Sequence, residues 1–294
     1  MKPLRDSQRP NIIRSGLRHG AIVTAALAVA GFASLESLFA PKAELWERWA
    51  TADVTSTTTV DHADWDALLA TYVSAGADAV NRFAYTGISE PDRLKLAGYI
   101  ERLQTITVTG LNADEQRAYW INLYNAATVN VVIQHLPVES IRDIDISPGL
   151  FADGPWEKKM LTVEGEEISL NDIEHRILRP IWKDARIHYA VNCASIGCPN
   201  LVKKAFSAAT AEAMLDAAAR AYVNHARGAR KTEDGLVVSK IYAWFKDDFG
   251  GDDAGVLEHL KQYAAPDLKA VLDDAEGIFG HEYDWSLNGV RPPS

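Results

Sequence analysis

The sequence predicts an α+β fold: a single domain in which a small antiparallel or mixed sheet packs against a helical layer around a buried central helix. Three observations carry this. The stretch 113–135, reading A-D-E-Q-R-A-Y-W-I-N-L-Y-N-A-A-T-V-N-V-V-I-Q-H, is apolar nearly all round after Ala118, which is the pattern of a helix covered on every side. Short β-branched or aromatic runs at 159–163, 167–170, 187–192, 236–239 and 280–287 read as strands. No linker divides the chain, so residues 41–294 are expected to form one globular unit.

The elements follow in order. Residues 41–59, with Leu45, Trp46, Trp49 and a Ser/Thr run, read as an extended wrapping segment. Trp65, Leu68, Leu69 and Tyr72 have helical spacing, with Asp61 available as a cap. Ser89-Glu90-Pro91 starts a second helix whose apolar face is Leu94, Leu96, Ile100 and Leu103, ending near Thr105. Asn112 caps the central helix. Glu164-Gly165-Glu166 joins the runs 159–163 and 167–170 into a hairpin. Ser169 or Asn171 then starts a helix that Pro180 is expected to end. Ile187–Asn192 alternates as a strand does, and an Ala-rich helix spans Thr210–His225. A short strand at 236–239, a short helix within Lys240–Phe249, helices at 256–263 and 268–272, and an aromatic strand at 280–287 carrying Tyr283 and Trp285 complete the chain.

With 294 residues, 47% of them apolar, the chain can bury a substantial core. Its first forty residues differ from the rest. Lys2, Arg5, Arg9, Arg14 and Arg18 precede an apolar run from Ala21 to Phe32, and small residues follow, which is the pattern of a secretory signal. The run is shorter than the roughly 20 residues a membrane span needs. Export with cleavage, to the periplasm or the medium, is expected, with a retained N-terminal anchor as the other reading. Loss of residues 1–40 removes five basic and two acidic residues and takes the formal charge from −10 to −13. So acidic a chain repels nucleic acid and anionic lipid surfaces, so neither is expected as a partner.

The sharpest candidate for chemistry is I-H-Y-A-V-N-C-A-S-I-G-C-P-N-L, residues 187–201, which holds both cysteines of the chain. A thiol becomes a good nucleophile when a base, a cation or a helix start favours its thiolate, so Cys193 calls for a nearby histidine and a polar orienting group. His188 and His175 are the candidate bases, and His281 a weaker one. On a strand, His188 would face away from Cys193 and lie roughly 16 Å from it, so direct contact requires a break in the strand. His175 is free to approach from the preceding helix. The blander reading makes Cys193 a small core residue and His188 a satisfied buried imidazole. A disulfide between Cys193 and Cys198 would close too small a loop to brace the fold, and would hold or mask a site instead.

Asn122 and Asn125 share one face of the central helix, where buried amides need specific partners. They are expected either to fasten the Cys193–Pro199 loop or to orient a substrate amide. Glu174 and His175 are adjacent on their helix, about 100° apart, and Glu174 could accept from a loop amide or a distant histidine. The acidic run 247–253 lacks the spacing of a calcium loop and reads as a solvated turn with a helix cap. There is no zinc pattern, no phosphate-cradling glycine loop and no G-x-S-x-G elbow, so no metal and no cofactor is expected.

Four ordered motifs, Y-W-I-N-L-Y-N-A (119–126), I-S-L-N-D-I-E-H-R-I-L-R (168–179), the 187–201 stretch and S-K-I-Y-A-W-F-K-D-D-F (239–249), resemble the domain of unknown function 547 family, from about Trp65 to Leu287. That resemblance implies a relation to the papain-like and transglutaminase-like thiol fold. It also implies a pocket lined by Asn122, Asn125, Glu174, His175, His188, Cys193, Ser195 and Cys198. The order of residues departs from papain-like enzymes, in which the nucleophile opens the central helix and the histidine follows.

Two functions are therefore expected as alternatives. In one, the chain is a thiol-dependent amide or peptide hydrolase or acyl transferase, with Cys193 as nucleophile, His175 or His188 as base, and Asn125 or backbone amides at the oxyanion. In the other, it is a non-catalytic binder of a small peptide or thiol such as glutathione, whose cysteines exchange disulfides with the ligand or merely touch it.

Overall fold

The computed structural model describes residues 40–149 and 153–290. The expected signal segment lies outside these residues except for Ala40. Helix α1 (Ala63–Tyr72) leads into a hairpin of β1 (Val73–Ala75) and β2 (Asn81–Phe83). Helix α2 (Glu90–Gln104) starts where Ser89 accepts from the Asp92 amide, and α3 (Ala113–His135) starts where Asn112 accepts from the Glu115 amide. Both caps were legible, because a short polar side chain before an apolar-periodic run supplies an acceptor to amides the helix leaves free. Asp61 serves α1 differently, accepting from the Ala63 amide one residue outside the cap position.

Helix α3 is the centre of the main core. From Glu115 to Val129 every residue is buried, including Trp120, which meets Trp49 edge-on at 5.1 Å. Polar groups near its start hold the wrapping segment: Gln116 Nε2 donates to Thr51 O, Asn112 Nδ2 to Ser56 O, and Glu115 accepts from the Val60 amide. Beyond a 3-10 turn at Glu47–Ala50, the segment can stay extended because α3 supplies the hydrogen bonds that a sheet would otherwise provide.

The expected hairpin is β3 (Leu161–Val163) and β4 (Glu166–Ile168), antiparallel around a Glu164-Gly165 turn with both residues at positive φ. After α6 (Ala211–Val223) come β5 (Ala229–Lys231) and β6 (Leu236–Ser239), then α7 (Ile241–Trp244), α8 (Asp253–Tyr263), α9 (Pro266–Asp273) and β7 (Ile278–Glu282). Strand β6 pairs antiparallel with β5 and parallel with β7. This mixed sheet and helices α6, α8 and α9 enclose a second cluster around Tyr189, Tyr222, Tyr242 and Phe249. The molecule is thus α+β, with small sheets packed among helices. No helix among the described residues is long and apolar enough to cross a membrane.

Besides the last strand, which ends at Glu282 and leaves Tyr283 and Trp285 beyond it, two elements depart from expectation. Pro180 does not end its helix. Residues Asp172–Leu178 form wide π-type turns that run on into one α-helical turn, α4 (Arg179–Trp182). A proline nitrogen cannot serve the carbonyls one turn back, and here the outer segment serves them instead. The Glu44 amide donates to His175 O (3.0 Å) and the Trp46 amide to Arg176 O (2.9 Å). The second departure is Ile187–Ala190, expected as a strand, which is a single helical turn, α5. Asp184 starts that turn, its carbonyl accepting from the Ile187 amide and its carboxylate from the Arg186 amide.

Burial holds the imidazoles of His62, His175 and His259 near a pKa of about 4. The unfolded chain takes up these protons as pH falls below about 6.5, while the folded chain resists until about 4. Stability is therefore full above pH 6.5 and declines as pH falls through that window. We expect the urea midpoint to drop steadily between pH 7 and pH 4.5, and His62→Gln to flatten the decline. An unchanged slope in that variant would mean that His62 is not protonated differently in the two states.

Candidate functional site

The loop after α5 is built around two asparagines. Asn125, on α3, donates from Nδ2 to Ala190 O (2.9 Å) and accepts at Oδ1 from the Asn192 amide (2.8 Å). One side chain thereby terminates the helical turn and fixes the buried Asn192 after it. Asn192 then accepts from the Ala194 amide and donates to Pro199 O, closing the loop on itself. Ala194 adopts a left-handed φ of 61°, a conformation unfavourable for alanine by roughly 1 kcal/mol or more, held by the bonds on either side.

The carboxyl-terminal segment threads past this loop. The Ile196 amide donates to Ser286 O, the Gly197 amide to Asp284 O at 2.7 Å, and the Asn288 amide to Ala194 O. A Cβ at Gly197 would fall 2.8 Å from the Asp284 nitrogen and 2.9 Å from the Tyr283 ring, so only glycine permits this approach. Arg227 and Tyr222 hold the remaining carbonyls of the loop, those of Ile196, Gly197 and Cys198.

The approach delivers Tyr283 to the sulfur. Cys193 Sγ lies 2.7 Å from Cys198 Sγ, 3.1 Å from the Tyr283 hydroxyl and 3.3 Å from Ser195 Oγ, and the Cys193 amide donates to Cys198 Sγ. Both cysteines are free thiols; Cys193 is half-buried and Cys198 buried. Burial opposes the Cys193 thiolate, but the hydrogen bonds from Cys198, Ser195 and Tyr283 outweigh it and bring its pKa below the ordinary thiol value. Burial, then the neighbouring Cys193, pushes Cys198 well up. The pair is asymmetric: its neighbours lower the thiol pKa of Cys193 and raise that of Cys198. Tyr283, raised well above its usual value by burial and then by the two sulfurs, remains a donor too. Tyr283→Phe removes one charge-assisted bond, so the pH midpoint of Cys193 alkylation by iodoacetamide should rise by about one unit or more. An unmoved midpoint would exclude the tyrosine from this role.

Cys193 and Cys198 sit on the floor of a cleft of about 520 Å³. Its aromatic wall is Trp156, Trp244, Tyr283 and Trp285, and its far end holds Glu174, His175 and His188. These last three form a network of their own. His188 Nε2 donates to Asp248 (2.7 Å), Arg179 Nε donates to the same Asp248 oxygen (2.6 Å), and Arg179 Nη1 donates to His175 Nδ1 (3.0 Å). His188 Nδ1 faces Glu174 at 3.6 Å, and its ring stacks on Phe245 at 4.5 Å. Against the cost of burial, His175, His188 and Arg179 hold the Glu174 carboxyl down at about 2, while His188 and Arg179 hold Asp248 well below the usual carboxylate range. Burial brings His175 to about 4, and a guanidinium donating to Nδ1 fixes it as the neutral Nε2–H tautomer.

The structure thus brings Cys193, Cys198, Glu174, His175 and His188 to one cleft and leaves the remaining candidates beside it. Ser195 touches the sulfur from behind. Asn125 fastens the loop, and Asn122 clamps both backbone groups of Phe206, so neither amide faces the cleft. The partners of the Cys193 sulfur are Cys198, Ser195 and Tyr283; neither imidazole is among them. Asp248, read in the sequence as part of a solvated turn, is the partner of His188, whereas its neighbour Asp252 does cap a helix. Among the described residues no group of three or more His, Cys, Asp or Glu side chains is placed to hold a metal ion.

Fold and site together define a small α+β domain with a paired-cysteine cleft beside a buried carboxylate and imidazole network. Residues 108–223 match the model of the family described as protein of unknown function, DUF547. Three of the four motifs that resemble the family lie within it, and the one at 239–249 lies beyond. No curated protein and no solved structure matches the chain.

Proposed function

We propose that the cleft is a thiol-exchange site for a small peptide or thiol-bearing ligand, with Cys193 as the attacking sulfur and Cys198 as the resolving one. The observation that carries this is the sulfur pair, 2.7 Å apart, with Cys193 favoured as thiolate and open to the cleft. Exchange needs no general base once a thiolate is available, which suits a sulfur whose partners are a thiol and two hydroxyls. The basic start and apolar run of the first forty residues support export to a compartment where disulfides persist.

The second reading, a thiol-dependent amide or peptide hydrolase or acyl transferase, is favoured by one observation. His188 in the same cleft is oriented by Asp248 as a catalytic imidazole is oriented by a carboxylate. It requires the ring to leave that partner and reach the sulfur. Intact mass after incubation with a neutral disulfide separates the two readings. Exchange predicts gain of one half-disulfide at Cys193 followed by its loss, with a mass two hydrogens lighter as the Cys193–Cys198 bridge closes. A chain that stays unmodified yet hydrolyses thioesters or amides would favour the second reading.

A further inference from the structure

The cleft also specifies the charge of its ligand. Its wall is a run of half-buried rings in mutual contact: Tyr283 and Trp285 at 4.7 Å, Trp244 and Tyr283 at 4.9 Å, Trp244 and Trp285 at 5.5 Å, and Trp156 and Trp285 at 5.8 Å. Ring faces carry negative charge density and attract cations. One cation of the cleft lining already uses the wall, since the Arg142 guanidinium lies 5.3 Å from the Trp285 ring. Arg142 is ion-paired with Asp153, and Arg179 with Asp248 behind the floor, so these charges cancel in pairs. Glu157 at the rim and Glu174 at the end remain, with a neutral His175. Glutathione, with two carboxylates and one ammonium, would bring net negative charge against this lining.

We propose that the ligand of this cleft is a cationic thiol or its disulfide, with an ammonium group against the Trp156, Trp244, Tyr283 and Trp285 wall near Glu157 and its sulfur at Cys193. The inference rests on the exchange reading above. In the first step the Cys193 thiolate attacks one sulfur of the ligand disulfide, a new S–S bond forms, and the other half leaves as a thiolate that takes a proton. In the second, the Cys198 sulfur gives up its proton and attacks Cys193, releasing the bound half as a thiol. The ligand disulfide is reduced to two thiols as the cysteine pair is oxidised.

The test compares cystamine, hydroxyethyl disulfide and glutathione disulfide on the full chain, with adduct formation at Cys193 followed by intact mass at low and high salt. The same three rates in urea supply the baseline set by net charge and intrinsic reactivity. In the folded protein, cystamine should exceed hydroxyethyl disulfide by about tenfold beyond the ratio in urea, as a cation–π contact supported by a carboxylate implies. Glutathione disulfide should be slowest. The cystamine preference should shrink several-fold in Glu157→Gln, a rim substitution that leaves the rings in place, and further in Trp285→Leu. Equal ratios in folded and unfolded chain overturn the inference while leaving exchange intact. Absence of any adduct on the folded chain, with adducts in urea, overturns exchange and this inference together.

Discussion

Cys193→Ala should abolish adduct formation with small disulfides in the folded protein, whereas Cys198→Ala should trap it. The two sulfurs have the same neighbourhood but opposite tasks. Cys193 is half-buried at the cleft floor with three groups stabilising its thiolate, and Cys198 is buried with its proton held. Removing Cys193 leaves only a buried thiol whose pKa is raised, so the rate at neutral pH should fall by at least about a hundredfold, toward the limit of detection. Removing Cys198 takes away both the resolving sulfur and one stabilising donor. The adduct should therefore form more slowly, with a raised pH midpoint, and then persist in place of closing to a bridge. Intact mass over time distinguishes the outcomes. Equal loss in both variants would mean that the pair is structural.

Asp248→Ala should be the most destabilising single change at the cleft. Asp248 is the common acceptor of Arg179 Nε and His188 Nε2, whose side chains are 4% and 2% exposed. Removing the carboxylate strands a buried guanidinium and an imidazole N–H, which costs about 3–5 kcal/mol for a broken buried pair. Urea unfolding at pH 7 measures it, and a loss below 1 kcal/mol would show that water takes over the carboxylate's place. The pH dependence has a definite sign. Because the folded pKa of Asp248 is depressed, its contribution is fully present above the unfolded carboxylate value near 4 and is lost as pH falls below it. Wild type should lose its advantage over the variant in acid. Asp248→Asn, which keeps an acceptor without the charge, should lie between them.

Much of the site was legible because its residues announce themselves chemically. Two asparagines on an otherwise apolar helix had to be bonded to something, and Asn125 is bonded to the loop that bears Cys193. What escaped the sequence was conformation over four or five residues. I-H-Y-A-V-N fits a strand by alternation and a helical turn by the Asp184 cap before it, and the cap decides. The misread turn is also why His188, expected to face away from the cysteines, shares their cleft. Pro180 misled in the same way, since a proline ends a helix only if no other strand of chain serves the carbonyls it abandons. Asp248 escaped because one of two neighbouring aspartates in an acidic run faces inward, and composition does not say which. Tyr283, expected on the last strand, lies just past its end at Glu282. Its hydroxyl's contact with sulfur depends on Gly197, far closer to the amino terminus.

The outer segment that completes the Pro180 helix fastens the wall bearing Glu174 and His175 like a seam, with two stitches and the Pro41 carbonyl clasped by Arg179. Trimming the chain to begin after Trp46 would unpick it. The helix would then have a proline at its weakest point and two bare carbonyls, and the far end of the cleft would loosen although no residue lining its floor had changed.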